Sequence, residues 1–176
     1  MTLSLGLLLL RLVAGLTLAA HGAQKLFGWF EGPGFTRLVQ GFTKQGFKPV
    51  WLWACLVILG ELGGGLSLAL GFLTPLGAAG IFGAMFMAIA KSHWKYGFWA
   101  SKRGFEYPLS LLTIGVAIGL MGPGGYSLDT LLGMALPEAP LFGTLAVAAL
   151  LVDVMGLLIS REPATIASRE AMSRPS

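Results

Sequence analysis

Residues 50–90 read VWLWACLVILGELGGGLSLALGFLTPLGAAGIFGAMFMAIA and hold one charged side chain, Glu61. A helix crosses the roughly 30 Å hydrocarbon core of a bilayer with about 20 apolar residues. The stretch is therefore long enough for two passes, predicted at 50–72 and 74–90, with a turn near Leu73. Outward from it, the same criterion picks out 3–23, 105–121 and 139–160. The fold class read from the sequence is all-α: an integral membrane helical bundle. Five spans are thus expected, the last at 139–160, followed by a basic tail at 161–176. The first span lacks basic residues ahead of Leu3 and is interrupted by Arg11. It reads as a retained helix rather than a signal peptide, whose basic residues precede its apolar core.

Composition supports the membrane reading. The chain is 55% hydrophobic and 11% charged, against about a quarter charged in soluble domains. The formal charge is +4, but no basic helix or arm accompanies it. The expected surroundings are the lipid bilayer, with no nucleic-acid partner. Cys55 is the one cysteine, so neither an internal disulfide nor a C-x-x-C pair is available. Redox chemistry would have to come from a bound cofactor or a partner.

Charge placement sets an expected orientation. Five spans put 24–49, 91–104 and 161–176 on one side of the membrane. Those segments hold 11 of the 12 Lys and Arg residues, and the opposite connections hold none. Positive residues mark the cytoplasmic face. The chain is thus expected in the cell (plasma) membrane as a multi-pass protein, N-terminus outside and C-terminus cytoplasmic. Trp29, Trp51, Trp53, Trp94, Tyr96, Phe98 and Trp99 cluster near that face as an expected aromatic belt. Between the first two spans, Phe35, Leu38, Val39 and Phe42 recur at helical spacing. They predict an interfacial amphipathic helix over 34–46.

Ionisable residues within spans rarely face lipid and are candidate functional groups. Here they are Arg11, His21, Glu61, Glu106 and Asp153, with Lys25, Lys91 and His93 near the basic boundary. A rise of about 1.5 Å per residue puts Arg11 about 12 Å from one face and Glu61 about 16 Å from the other. The two depths nearly coincide, so Arg11 and Glu61 are expected to pair, as a staple between helices or as part of a site. The glycines around Glu61 suit close helix packing first and ligand space second. Glu106, Ser110, Thr113 and Ala117 make a polar-to-small stripe expected to face inward, Glu106 reading alternatively as an N-terminal charge favoured by the helix dipole, and Asp153, ranked below these, could pair with a basic residue of another helix. His21 and His93 do not lie deep, which disfavours a haem between them. No spacing supports a metal site, and no metal is assigned.

The ordered series H-G-x-x-K, G-E-x-x-G-G, G-F-E and G-P-G-x-x-S-L-D, spread over residues 8–130, resembles the DoxX family of small membrane proteins. The resemblance implies a four-helix transmembrane core, here residues 1–130, with the fifth transmembrane helix at 139–160 and the basic tail at 161–176 as an extension, and carries over Arg11, His21, Lys25, Glu61 and Glu106 as its polar positions. It also implies association with quinone-linked sulfur oxidation or with thiol and oxidative-stress systems. Two functions follow as expectations. One is the membrane subunit of a quinone-linked oxidoreductase, with quinone as cofactor and a soluble oxidoreductase partner supplying electrons. The other is a non-enzymatic module that binds a lipid or small molecule, or serves as an assembly partner.

Overall fold

The computed structural model describes residues 2–160. The tail at 161–176, with Arg161, Arg169 and Arg174, lies outside the described residues. Among the described residues the fold is a helical membrane bundle. Helix α1 (Thr2–Phe27) is followed by a short helix α2 (Gly34–Lys44). Helix α3 (Val50–Leu70) and helix α4 (Thr74–Tyr96) form an antiparallel pair. Then come α5 (Glu106–Met121), a single turn α6 (Leu128–Leu131), and α7 (Glu138–Ile159). Helices α1, α3, α4 and α7 are each long and apolar enough to cross a bilayer, and α5 is a shorter apolar helix. At its 16 residues, α5 spans about 24 Å.

Helix α4 is central and packs against α3, α5 and α7, while α1 lies against α3. Small residues allow these approaches. A Cβ on Gly22 would strike the Leu62 backbone, and one on Gly15 would meet Ala69 N and Gly65 O. Gly60 meets Gly80 in the same way on the α4 side. Without a solvent-driven hydrophobic force between helices in lipid, such backbone contact is the main source of association. The apolar core runs through Leu18, Leu68, Ile81, Leu111 and Ile118. Helix α7 joins this body through Phe142, which lies over Gly119 and packs with Ala78 and Ala79.

Two ends of the bundle differ. The turn end holds the Gly71–Thr74 turn and the connection 122–137. The basic end holds the connections after α1 and α4. Helix α2 packs there through Leu38, Val39 and Phe42 against Phe47, Trp53 and Met87. Trp53 is therefore core, 5% exposed, and not part of the aromatic belt expected from sequence. Trp29, Trp51, Trp94 and Trp99 are exposed at that end.

Both central helices contain a widened turn. Leu59–Gly63 in α3 and Ala88–His93 in α4 are π-helical. Such a turn inserts one extra residue into the helix and is frequent at functional sites. Glu61 is the middle residue of the first.

Candidate functional site

The structure separates Arg11 from Glu61. Gly15 faces Gly65 and Ala69, and Gly22 faces Leu62. This register sets Arg11 against Gly71, ten residues along α3 from Glu61, or about 15 Å. The coincidence of depths assumed that the two helices start in one plane. In fact α1 continues past Ala23 to Phe27, and the first turns of α3 project beyond it to meet α2. The expected Arg11–Glu61 pair is corrected accordingly, because the axial offset of the helices exceeds the reach of the two side chains.

At the turn end, Arg11 is 1% exposed. Its Nη1 donates to the Pro123 carbonyl and its Nη2 to the Tyr126 carbonyl, the latter at 2.6 Å. Gly71 ends α3 at φ +63°, a left-handed conformation that glycine adopts without strain. A Cβ there would also collide with the Arg11 guanidinium. Asp129 is buried and accepts three hydrogen bonds, from Leu73 N, Thr74 N and Thr74 Oγ1. It also lies within electrostatic reach of Arg11. Ser127 caps α6, its Oγ accepting from Thr130 N. The G-P-G-x-x-S-L-D segment is thus a clasp that ties α1, the α3–α4 turn and α6 together. The motif is legible in the sequence, but its spacing does not assign Asp129 a partner. Its signal was a carboxylate set among turn residues.

At the basic end, Lys25 donates to Glu61 Oε1 in the one ion pair among the described residues. Glu61 is 2% exposed, and its Oε2 is buried without a hydrogen-bond partner among the described residues. The π-turn places this carboxylate at the edge of a pocket of about 240 Å³. Lys25, Arg37 and Lys91 also line that pocket, with Phe42 and Gly41 of α2 among its other walls. Three cations face one carboxylate, so the pocket is electropositive. Lys91 also sits 5.4 Å above the Phe47 ring, a cation–π contact.

His21 adjoins this site. Its Nδ1 is 3.1 Å from Gln24 Oε1 and its Nε2 is 3.0 Å from the Tyr107 hydroxyl. Both ring nitrogens are engaged with neighbouring side chains. Tyr107 is within electrostatic reach of Glu61. The structure thus brings His21, Lys25 and Glu61 to one end of the bundle, and adds Tyr107, Arg37 and Lys91 to them.

Glu106 does not join them by any hydrogen bond. Its Oε2 accepts from Ala100 N and fastens the loop before α5. Ser110 and Thr113 are exposed and bond back to the carbonyls of Glu106 and Leu109. The polar stripe on α5 therefore faces outward. The buried face is Pro108, Leu111, Gly115, Ile118 and Gly119, because the small and branched apolar residues fill the space against α4. Asp153 is also corrected. It lies beside Gly83, and its Oδ2 has no partner among the described residues. No group of three or more His, Cys, Asp or Glu that could hold a metal occurs among the described residues.

A second cavity, of about 520 Å³, runs between α3, α4 and α7 and shares Val57, Ala84 and Met87 with the first. Gly60, Gly63, Gly64 and Gly80 line it. Gly60 and Gly64 also carry the close contact to α4, whereas a Cβ on Gly63 would meet nothing within 4 Å.

The fold and these polar clusters define a multi-pass helical membrane protein with a half-paired carboxylate at one end. The DoxX family model matches residues 6–94, half of the chain, and the protein belongs to the DoxX family. The matched residues include Arg11, His21, Lys25 and Glu61. Glu106, Asp129 and Asp153 lie beyond them. No curated protein and no solved structure gives a significant match.

Proposed function

We propose that this protein is the membrane subunit of a quinone-linked oxidoreductase acting in sulfur, thiol or oxidative-stress metabolism, with the quinone head group bound at Glu61. The observation that carries the reading is the half-satisfied Glu61: buried, ion-paired through one oxygen, unpartnered through the other, and set in a π-turn at a pocket edge. An unsatisfied buried polar atom costs free energy unless a partner supplies what it lacks. A quinol supplies a hydroxyl that donates to Glu61 Oε2, and the carbonyl oxygen of the oxidised quinone accepts from Lys25 and takes up a proton on reduction.

The residues fit that chemistry. Lys25 is a donor held in place by Glu61, and Arg37 and Lys91 add positive potential at the same pocket. Glu61 Oε2 is a site for a proton at membrane depth, where general acid–base groups are otherwise scarce. His21 and Tyr107 form an adjoining hydrogen-bonded pair able to hold a proton near the basic end. Glu106, tied to Ala100 N, takes no part. With one cysteine and no metal-binding cluster among the described residues, electrons would come from a soluble oxidoreductase partner. The positive-inside distribution supports a reading with the basic end cytoplasmic and the N-terminus outside, and with it a plasma-membrane protein that meets its soluble partner on the cytoplasmic side.

A second reading is a non-enzymatic module binding a lipid or small molecule. It is favoured by the extent to which His21 and Lys25 are already engaged by protein atoms. Protein reconstituted with a lipid quinone separates the two. Quinone reduction or a bound-quinone spectral shift, lost in Glu61→Gln, is the expected result. Absence of both from correctly folded protein, with every donor tried, would sink the oxidoreductase reading and leave the module.

A further inference from the structure

The two widened turns meet at one pocket. Glu61 sits in the π-turn of α3, and Lys91 and Ser92 sit in that of α4. All three line the pocket of about 240 Å³ at the basic end, with Lys25 of α1 and Arg37 of α2. Its cations therefore come from three different helices. They are not sealed in. Arg37 and Ser92 are exposed, Lys91 is half-buried, and the Lys25 side chain is 26% exposed. Arg37 and Ser92 mark the mouth of the pocket, and buried Glu61 its floor.

Charge is unbalanced there. Lys25 neutralises Glu61, the one acidic residue that lines the pocket. Arg37 and Lys91 have no acidic partner among the described residues. Lys91 Nζ is held on the α2 side, 5.4 Å above the Phe47 ring, and Phe47 packs edge-to-face on Phe42 of α2. Arg37 belongs to the same helix. Two cations without counter-charge thus face one concavity. Like charges so placed repel, and a shared anion between them removes that cost.

We infer that the mouth of this pocket binds the phosphate of an anionic phospholipid. Arg37 brings a planar fork that matches phosphate oxygens, and Lys91 a compact charge. The Ser92 hydroxyl adds a neutral donor. A phosphate suits these groups better than a carboxylate, because its oxygens can be met from several sides at once. The walls select a lipid over free phosphate, since Leu38, Val57 and Met87 line the same pocket and suit hydrocarbon. Lys91 lies five residues inside the end of α4 at Tyr96, about 8 Å, a depth that a long basic side chain covers by snorkelling to the head groups. Basic pockets between transmembrane helices take anionic head groups in this way. A zwitterionic head group would set its own cation against Arg37 and Lys91. The quinone reading uses Glu61 and Lys25, and this site uses neither, so the two stand or fall separately.

The test uses the full chain in neutral detergent, titrated with dioleoyl phosphatidylglycerol or dioleoyl phosphatidylcholine and read by native mass spectrometry. The first phosphatidylglycerol should bind at least about tenfold tighter than phosphatidylcholine. Arg37→Gln and Lys91→Gln should each lower that affinity about tenfold, the loss of one charge-assisted bond. Lys44→Gln and Lys102→Gln remove the same charge from exposed positions outside the pocket and should leave it unchanged. Glu61→Gln should bind the lipid at least as tightly as the parent protein, although the same change should abolish quinone binding. If Lys91→Gln does not fold, Arg37→Gln decides, since Arg37 is exposed on a surface helix. Equal losses in the Lys44 and Lys102 variants would reduce the effect to general surface attraction and overturn the proposal. So would equal binding of phosphatidylcholine, displacement by an equal concentration of inorganic phosphate, tighter binding of oleate, or loss of lipid binding in Glu61→Gln.

Discussion

The two ends of this bundle use the same kinds of residue to opposite effect. At the turn end, a buried arginine and a buried aspartate meet backbone carbonyls and amides, and Asp129 accepts three hydrogen bonds. At the basic end, a buried glutamate meets one lysine and keeps an oxygen bare. The first arrangement closes a clasp and leaves little to bind. The second sits in a π-turn beside a pocket. Burial of a charge in a membrane helix therefore does not by itself mark a binding site. Arg11 too keeps one bare atom, Nε, and what separates the candidate site from the clasp is the π-turn and the pocket beside Glu61.

Substitutions at the two ends should break or sharpen this contrast. Asp129→Ala should have the largest effect, removing three bonds to a buried carboxylate and costing about 4 kcal/mol. Denaturant unfolding in mild detergent would read it, and a loss under about 1 kcal/mol would show that the clasp is not closed by Asp129. Arg11→Met should cost about 3 kcal/mol by stranding two carbonyls, with quinone binding at the other end retained in the protein that folds. Lys25→Met should cost about 2 kcal/mol, less than a fully buried pair would, because Lys25 is partly solvated. Combining it with Glu61→Gln should recover most of that loss, since the uncompensated charge disappears. A double-mutant cycle measures this coupling. Glu61→Gln alone should change stability by less than about 1 kcal/mol while abolishing quinone-dependent activity. A large stability loss instead would make Glu61 a second clasp. The smallest effect belongs to Tyr107→Phe, which removes one hydrogen bond from half-exposed His21 and should cost about 0.5 kcal/mol. Thermal melts would detect it only as a shift of about 1–2 °C.

Much of the fold was legible in the sequence because lipid imposes a simple rule. Backbone polar groups must be satisfied within the segment, so apolar runs of the right length become helices. The stretch from Val50 to Ala90, with its one charge, sufficed for two of them. The amphipathic spacing of Leu38, Val39 and Phe42 was equally direct. The site was legible only in part. Depth arithmetic singled out Glu61 and Arg11 but joined them wrongly. It assumed level helix ends, and the Gly15 and Gly22 contacts set a different register. Ser110 and Thr113 looked inward by spacing, yet each satisfies itself on its own helix and needs no partner. Trp53 looked interfacial by position, yet α2 and α7 cover it.

The sequence by itself determined that this is a helical membrane bundle, which segments form its apolar helices, and which few ionisable residues must be accommodated inside it. Those conclusions rest on local length, hydropathy and charge. Tertiary structure alone decided the partners. It assigned Lys25 to Glu61, tied Arg11 to the Pro123 and Tyr126 carbonyls, and brought Trp53 to the helix that carries Asp153. Pairing across helices depends on axial offset and on the extra residue of the π-turn at Glu61. Both are set by how glycine surfaces interlock, and neither can be read from one helix at a time.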